Sequence, residues 1–547
     1  MTYTANQDGF LTKVDPALDQ HVFTAFFGGH GYDDIRGLAL VGGDRIAIAG
    51  ATSSSDMPTT PGVWDDSFNG TFDGFYAKLR ADGSQVLTGT YVGGSLEDRF
   101  TDMAVDGAED ATIVGYSYSA NYPVTPGAAD TTYSSPWSDG VVTRIRADGT
   151  VLHYSTYLGG SSNDNPYAVA LEPTGNAVIA GRTISGNFPI TPGTMSGSPS
   201  LGFVTKLNAS GQSIVASTYF GGTDDGFLYD VAIGPLGRIY VVGWTRSFDF
   251  PVTPGAYDTV FGGTPYDGIV SILHSDLSDV AYSTFLGASG SSQLEEIVCL
   301  AVDKSGVVTV GGTAGSYTYP VTPGAFQSSI SVPNSAAVVS RLDPTLSELL
   351  YSSYLGGVTA SVTHNDDRAN AVAVFPDGSA VFVGSAGSID FPLTSTSVQP
   401  GVGGKLDAFA TVMQLSPLGT QRYGATSSTC SSVPWIGVNR MPVQSDSGFA
   451  FTASEAPPSS VGVLAIGTAS APSGVPVLGV SAFIDPGAPF LVLGAVSESL
   501  GWCKRNVSLP AGSQGVVAYG QFLWFDPSIC AGGAFSATNA MAITIQP

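Results

Sequence analysis

Basic residues are scarce in this chain: 20 Lys and Arg stand against 45 Asp and Glu, a formal charge of −25. Such a surface repels phosphate backbones and anionic lipid, which argues against nucleic acid as a partner and makes cations, above all calcium, the natural ligands of carboxylates crowded in loops. Charged residues of either sign make up only 12% of the 547 positions while 43% are hydrophobic, which excludes a disordered polymer. No stretch approaches the ~20 continuous apolar residues of a membrane helix, and residues 1–9 lack the basic and apolar regions of a signal peptide. Histidine is nearly absent, at five residues. No Gly-x-Ser-x-Gly elbow, His-Glu-x-x-His helix or phosphate loop accompanies them.

Glycine (70) and proline (34) are abundant instead, and a chain rich in both yet apolar reads as many short strands joined by turns. The stretch Asp249-Phe250-Pro251-Val252-Thr253-Pro254-Gly255 recurs in close copies at 57–62, 122–127, 188–193 and 319–324, with a decayed copy at 391–394. The prolines of Thr-Pro-Gly, at 61, 126, 192, 254 and 323, are spaced by 65, 66, 62 and 69 residues, which is a long-period array. Each period holds four runs rich in β-branched and aromatic residues, such as 37–41, 45–50, 74–80 and 86–92, the pattern of a four-stranded antiparallel unit. Second strands end at Gly50, Gly115, Gly181, Gly243, Gly311 and Gly384, and fourth strands at pairs such as Gly28-Gly29 and Gly93-Gly94. Glycine there is expected to supply the positive φ of sharp reversals.

Six whole units are accompanied by two leftovers. A third and fourth strand at 10–14 and 22–27 open the chain, and a first and second strand at 438–443 and 448–454 end the array near Glu455. Two strands plus two make a seventh unit, so the expected fold is an all-β, seven-bladed β-propeller over residues 1–456, its ring closed by strands from both ends. Residues 457–475, rich in Ala, Pro, Ser and Gly, read as a linker or first strand, and 476–547 as a small β-sandwich. In that C-terminal region Cys503 and Cys530 are expected to pair, a disulfide that would staple a domain with little core and require an oxidising compartment. Cys299 falls in a strand and reads as a buried apolar residue.

Units such as Gly202-Phe203-Val204-Thr205-Lys206-Leu207, followed by Ser217-Thr218-Tyr219-Phe220-Gly221-Gly222 and the Phe-Pro-x-Thr-Pro-Gly loop, resemble the bacterial seven-bladed propeller repeat known as the SBBP repeat. The resemblance covers roughly residues 8–456 and implies an extracellular or cell-surface bacterial protein, with any signal peptide absent from this sequence. It implies no reaction. The segment Gln521-Phe522-Leu523-Trp524-Phe525-Asp526-Pro527 resembles C-terminal domains appended to large secreted bacterial proteins.

Candidate sites fall on the face where the long loops and the acids between units are expected to emerge. Five residues before each first-strand anchor, or next to that position, lie Asp33, Asp98, Asp164, Asp225, Glu295 and Asp367. They form either a carboxylate ring for calcium or a set of turn acids that accept backbone N–H bonds. Lys13, Lys78, Arg144, Lys206 and Arg341 share one third-strand position, either an anion ring or the partners of neighbouring acids. Trp64, Tyr133, Trp137, Tyr257, Phe261 and Tyr266 fall in the long loops, where aromatics either stack on sugars or cover gaps between blades. His30 and His364 lie in acidic loops, where a His and carboxylate pair for acid–base work can be drawn. The leading expectation is a non-catalytic propeller that presents one face for protein or glycan binding. A polysaccharide-acting lyase or hydrolase and a self-associating subunit of a surface layer or filament are the alternatives.

Overall fold

A computed structural model describes residues 7–546 apart from short stretches, the longest being 358–365, 424–433 and 526–534. The chain is all-β, with five four-stranded antiparallel sheets in sequence. Sheet 1 is Asp33–Val41, Arg45–Thr52, Asp73–Leu79 and Val86–Val92; sheet 2 is Asp98–Val105, Ala111–Ser117, Asp139–Ile145 and Leu152–Leu158. Sheet 3 is Asp164–Leu171, Ala177–Thr183, Leu201–Leu207 and Ile214–Phe220; sheet 4 is Gly226–Ile233, Ile239–Thr245, Asp267–Leu273 and Val280–Leu286. Sheet 5 is Glu295–Val302, Val308–Ala314, Ala336–Leu342 and Leu349–Leu355. Neighbouring sheets pack face to face: Val178 and Ala180 of sheet 3 meet Val241 and Ile269 of sheet 4 in one buried cluster. The first strands of successive sheets lie against one another, an arrangement consistent with a β-propeller.

Each first strand carries a bulge at the same place, with register shifts at Ile35/Gly37, Phe100/Asp102, Pro166/Ala168, Leu228/Asp230 and Ile297/Cys299. The extra residue bends and twists the strand where the sheets converge. It also explains the second-strand glycines. A Cβ at Gly50, Gly115, Gly181, Gly243 or Gly312 would lie 1.7–2.2 Å from a carbonyl oxygen of the bulged strand. The requirement is close backbone approach rather than the expected positive φ, and in sheet 5 the residue is Gly312, not Gly311. Positive φ belongs to the Thr-Pro-Gly glycines, as at Gly193 (87°) and Gly255 (83°).

The Thr-Pro-Gly loops run along the outer edge of their sheets. The N–H groups of Thr60, Thr125, Thr191, Thr253 and Thr322 donate to Gly89, Ser155, Ser217, Ser283 and Ser352 of the fourth strands at 2.9–3.1 Å. Beyond Gly62, Gly127, Gly193 and Gly255 the chain ties to the outer hairpin of the following sheet, as Trp64 N–H to Gly149 O (2.7 Å) and Tyr257 N–H to Leu346 O (2.7 Å). The loop thus covers an edge that would otherwise template association.

The chain ends depart from expectation. Among the described residues Gly9–Val14 and His21–Phe27 pair only with each other and pack through Leu11 and Phe27 on Ile46, Ile48 and Phe75. Trp435–Val438 pairs with Ala450–Ser454, but the other edge of Ala450–Ser454 is taken by Cys503–Asn506. The two-plus-two sheet is therefore not formed. Its open edge is already hydrogen-bonded to a C-terminal strand, held there by Lys504 Nζ to Glu348 Oε2 (2.5 Å) while Asn439 Nδ2 bonds Glu348 Oε1 (3.0 Å). The sixth sheet has three strands, Arg368–Val374, Ala380–Ala386 and Asp407–Met413. Thr420–Tyr423, its expected fourth, pairs with Ala540–Thr544 in a sheet that also contains Val517–Phe525, Val461–Gly467 and Phe490–Val496. Strand pairing thus crosses the boundary expected at 456, and Val461–Gly467 lies within the stretch read as linker or first strand. No helix among the described residues is long and apolar enough to cross a membrane.

Candidate functional site

The recurring acids are buried in their own turns. Asp33 accepts Gly29 N–H (2.9 Å), the Thr52 hydroxyl (2.5 Å) and the Ser54 hydroxyl (2.8 Å). Asp98 accepts Gly94 N–H (2.6 Å) and the hydroxyls of Ser117 and Ser119; Asp164 accepts Gly160 N–H (2.7 Å) and those of Thr183 and Ser185. Asp367 takes Gly357, Gly387 and Ser388 N–H and the Ser388 hydroxyl, and Glu295 takes Ala288 N–H. Asp225, where sheet 4 has Gly226 at the buried position, instead holds Arg182 through two bonds of 3.0 and 3.2 Å. Each carboxylate staples the end of one sheet to the start of the next. Among the described residues no three His, Cys, Asp or Glu side chains converge as a metal site, so the structure does not gather these six.

What differs between sheets is the residue that follows each recurring position, the last but one before the bulge: Asp34, Arg99, Asn165, Phe227, Glu296 and Arg368. It faces the convergence of the first strands together with its cross-strand partner. In sheet 4 these are Phe227 and Trp244, and they nucleate an aromatic ladder. Tyr266 stacks on Trp244 (4.2 Å between centroids, 25°), Trp244 on Phe227 (4.8 Å, 25°) and Phe227 on Tyr167 of sheet 3 (5.8 Å, 24°). Tyr229 joins them and accepts the Trp244 indole N–H (3.1 Å).

Arginines border the ladder. Arg182 lies 4.7 Å over Phe227, and Arg368 of the sixth sheet reaches Tyr229 at 5.7 Å while pairing with Glu296 (3.1 Å). Four successive sheets therefore contribute to one surface of paired charges and rings, half-buried except for the buried Trp244. A smaller counterpart sits between sheets 1 and 2, with Arg99 3.6 Å over Phe72 and bonded to Glu97 (2.6 Å).

Of the loop aromatics, only Tyr266 joins this surface. Trp64 (45% exposed) and Tyr257 (36%) sit where their loops cross to the neighbouring sheet's outer hairpin. Tyr257 lines a shallow recess of about 310 Å³ with Asp258, Gly287, Thr318 and Pro320. Trp137 is 59% exposed and its carbonyl accepts the Tyr133 hydroxyl, whereas Phe261 packs on Phe285 at 5.9 Å. His30 is exposed and pairs with Asp56, whose carboxyl is held below its ordinary pKa first by the His30 backbone N–H and then by the ring; His364 lies outside the described residues.

Four of the five third-strand basic residues pair with acids: Lys78 with Glu109, Arg144 with Asp106, Lys206 with Glu172 and Arg341 with Asp303. Cys299 and Cys503 are buried free thiols, Cys503 pushed up to about 11 by burial; Cys530 lies outside the described residues.

The geometry defines an all-β chain of four-stranded sheets around converging inner strands, with its most varied chemistry at that convergence. No family model matches the chain, and no curated protein does. Solved structures similar to it include a gluconolactonase from Xanthomonas campestris (13% identity, 52% of this chain and 71% of that one, TM-score 0.26). A europium-containing methanol dehydrogenase is 10% identical over 70% of each chain, with a TM-score of 0.33. An arabinoxylan arabinofuranohydrolase of glycoside hydrolase family 43 from Bacillus subtilis, in complex with cellotetraose, is 12% identical over 81% of this chain and 95% of that one, with a TM-score of 0.26.

Proposed function

We propose that this chain is a non-catalytic, extracellular or cell-surface recognition protein that binds a glycan at the convergence of the inner strands of sheets 3 to 6. The observation that carries the reading is the ladder Tyr266, Trp244, Phe227 and Tyr167, bordered by Arg182–Asp225 and Arg368–Glu296. Trp244 and Phe227 are sandwiched within the ladder, so the half-buried rings at its ends, Tyr266 above all, offer an apolar face to the C–H face of a sugar, while guanidinium and carboxylate groups fixed by their own pairing donate to and accept from ring hydroxyls at little further entropic cost. The resemblance of the repeat to bacterial surface propellers supports the location. In this reading the buried acids Asp33, Asp98, Asp164, Glu295 and Asp367 are scaffold.

The test is calorimetric titration with neutral and uronate-containing oligosaccharides, comparing the parent chain with Tyr266→Ala and Arg368→Ala. Loss of a stacking anchor is expected to cost about 2 kcal/mol, at least a tenfold weaker Kd. Failure of every oligosaccharide to bind, or equal affinity in parent and both variants, would sink the proposal.

A further inference from the structure

Three of the junctions between sheets bury a second carboxyl facing the turn acid. Asp73, Asp139 and Asp267 open the third strands of sheets 1, 2 and 4, and face Asp98, Asp164 and Glu295 of the following sheets. All six are at most 2% exposed. One oxygen of each third-strand acid is used: Asn69 N–H donates to Asp73 (2.8 Å), Ser134 N–H to Asp139 (2.7 Å) and Gly262 N–H to Asp267 (2.5 Å).

The other oxygen points at the glycine that ends the fourth strand, where the facing acid also points. From the place a Cβ would occupy on Gly159, Asp139 Oδ1 is 2.9 Å away and Asp164 Oδ2 2.8 Å; on Gly287, Asp267 Oδ1 is 3.0 Å and Glu295 Oε2 2.6 Å. Asp73 Oδ1 lies 2.5 Å from the same place on Gly93. Asp73 Oδ1, Asp139 Oδ1 and Glu295 Oε1 are buried with no hydrogen-bond partner. A buried oxygen without a donor costs about 1–3 kcal/mol; at the first two junctions it is the third-strand acid's own second oxygen, and at the third it is the facing acid's other oxygen, Glu295 Oε1, while Glu295 Oε2 takes Ala288 N–H.

We propose that each of these junctions is a proton-binding site, with one proton held between the two facing carboxyls so that a carboxyl O–H donates to its partner and the neutral–anionic pair closes the seam between sheets. Two facing carboxylates in one dry site cannot both ionise cheaply. The other titratable groups facing them are acids or phenols: Asp65 and Tyr91 at the first, Asp130, Tyr133 and Tyr157 at the second, Asp258, Tyr319 and Tyr354 at the third, with Glu97 acting on Asp98. Burial, and then the neighbouring acids, push Asp73 and Asp139 up to about 7 and Glu295 to about 8.

Two other junctions act as controls. At the sheet 3–4 junction neither acid is present, and at the next after sheet 5 Asp367 faces Ala336 and is fully bonded by backbone and hydroxyl donors.

A carboxyl whose folded pKa is raised contributes stability that is complete below its unfolded value near 4 and is lost as pH rises through the folded value. The parent chain is therefore expected to lose thermal stability from pH 6 to 9. The triple variant Asp73→Asn, Asp139→Asn, Asp267→Asn, with an amide N–H where the proton would lie, is expected to melt with a clearly smaller pH slope over that range and above the parent at pH 9, the remaining slope belonging to Asp102 and Asp230, which burial also pushes up to about 7. An unchanged pH slope in the variant would overturn the proposal. If the variant does not fold, infrared spectroscopy of the parent against the single variants Asp73→Asn, Asp139→Asn and Asp267→Asn decides: a carboxylic-acid carbonyl band at pH 6.5 that disappears by pH 9 and is smaller in the variants supports it, and a band equal in parent and variants, as Asp102 and Asp230 alone would give, refutes it. A melting shift with calcium that replaces the pH dependence would also refute it, assigning a cation to the cradle.

Discussion

The fourth-strand tyrosines offer a sharp test of how the outer loops are held. Tyr91, Tyr157, Tyr219 and Tyr354 each donate their hydroxyl to the carbonyl of the loop serine at Ser54, Ser119, Ser185 and Ser316, at 2.6–2.7 Å. Tyr354 also accepts Tyr319 N–H at 3.0 Å and is fully buried, its hydroxyl pushed up to about 12 chiefly by burial. Sheet 4 has Phe285 at this position, so phenylalanine fits the space and Tyr354→Phe leaves no cavity beyond one oxygen. The substitution orphans the Ser316 carbonyl and the Tyr319 amide. At about 1–3 kcal/mol for a buried group left unpaired, partly offset by no longer burying the hydroxyl itself, the expected loss is about 2 kcal/mol.

A chain of this many sheets need not unfold in one step, so the direct assay is local. The Tyr319 amide is expected to exchange with solvent about thirtyfold faster in Tyr354→Phe, since 1.4 kcal/mol is a factor of ten. The urea midpoint should fall with an unchanged slope. Exchange at Tyr319 within twofold of the parent would mean that packing of the ring, rather than its hydroxyl, holds the loop.

Other substitutions separate scaffold from site. Arg341 is 2% exposed, lies 4.3 Å over Trp435, donates to Gly378 O (2.7 Å) and has Asp303 at 3.6 Å. Asp303→Asn, which leaves that cation without its counter-charge, is expected to destabilise by about 3–5 kcal/mol in urea denaturation, and Arg341→Met by less. Cys299 and Cys503, both buried with raised thiol pKa, should resist alkylation at pH 8 in the native chain and react once urea is added, as read by intact mass. Tyr257→Ala, at the recess away from the ladder, should leave oligosaccharide titrations unchanged.

The period of about 65 residues was enough to locate the strands of all five complete sheets, because alternation, turn residues and repetition agree there. The ends were less legible. A two-plus-two count assumes that complementary half-sheets pair with each other, but the open edge of Ala450–Ser454 accepts any strand, and Cys503–Asn506 carries no repeat signal. The role of the second-strand glycines was also hidden, since a bulge one strand away leaves no mark in composition. The recurring acids could be read as ligands or as staples, and their hydroxyl partners Ser54, Ser119, Ser185 and Ser388 recur as faithfully as they do. The ladder was missed because Phe227 and Trp244 lie inside strands, where aromatics are usually core. The signal that could have found them is variation: at a position held by Asp, Arg, Asn, Phe, Glu and Arg in successive sheets, no common packing requirement is at work.

Gly243 links the bulge of sheet 4 to the aromatic ladder. It is the second-strand residue opposite the bulge of sheet 4, where a Cβ would lie 1.7 Å from Phe227 O, and it immediately precedes Trp244. Gly243→Ala must push the strands apart at the bulge, and that displacement acts first on Phe227 and Trp244, whose stacking at 4.8 Å depends on their cross-strand pairing. The expected outcome is a folded chain whose Trp244 fluorescence is altered and whose oligosaccharide affinity falls at least tenfold, with melting lowered. Gly50→Ala, the equivalent change in sheet 1 (1.8 Å from Asp34 O), carries the same backbone clash with no aromatic ladder beside it. It should lower melting comparably and spare the affinity. Equal loss of affinity in both variants would mean that the bulges support the fold as a whole, and that the ladder has no binding role of its own.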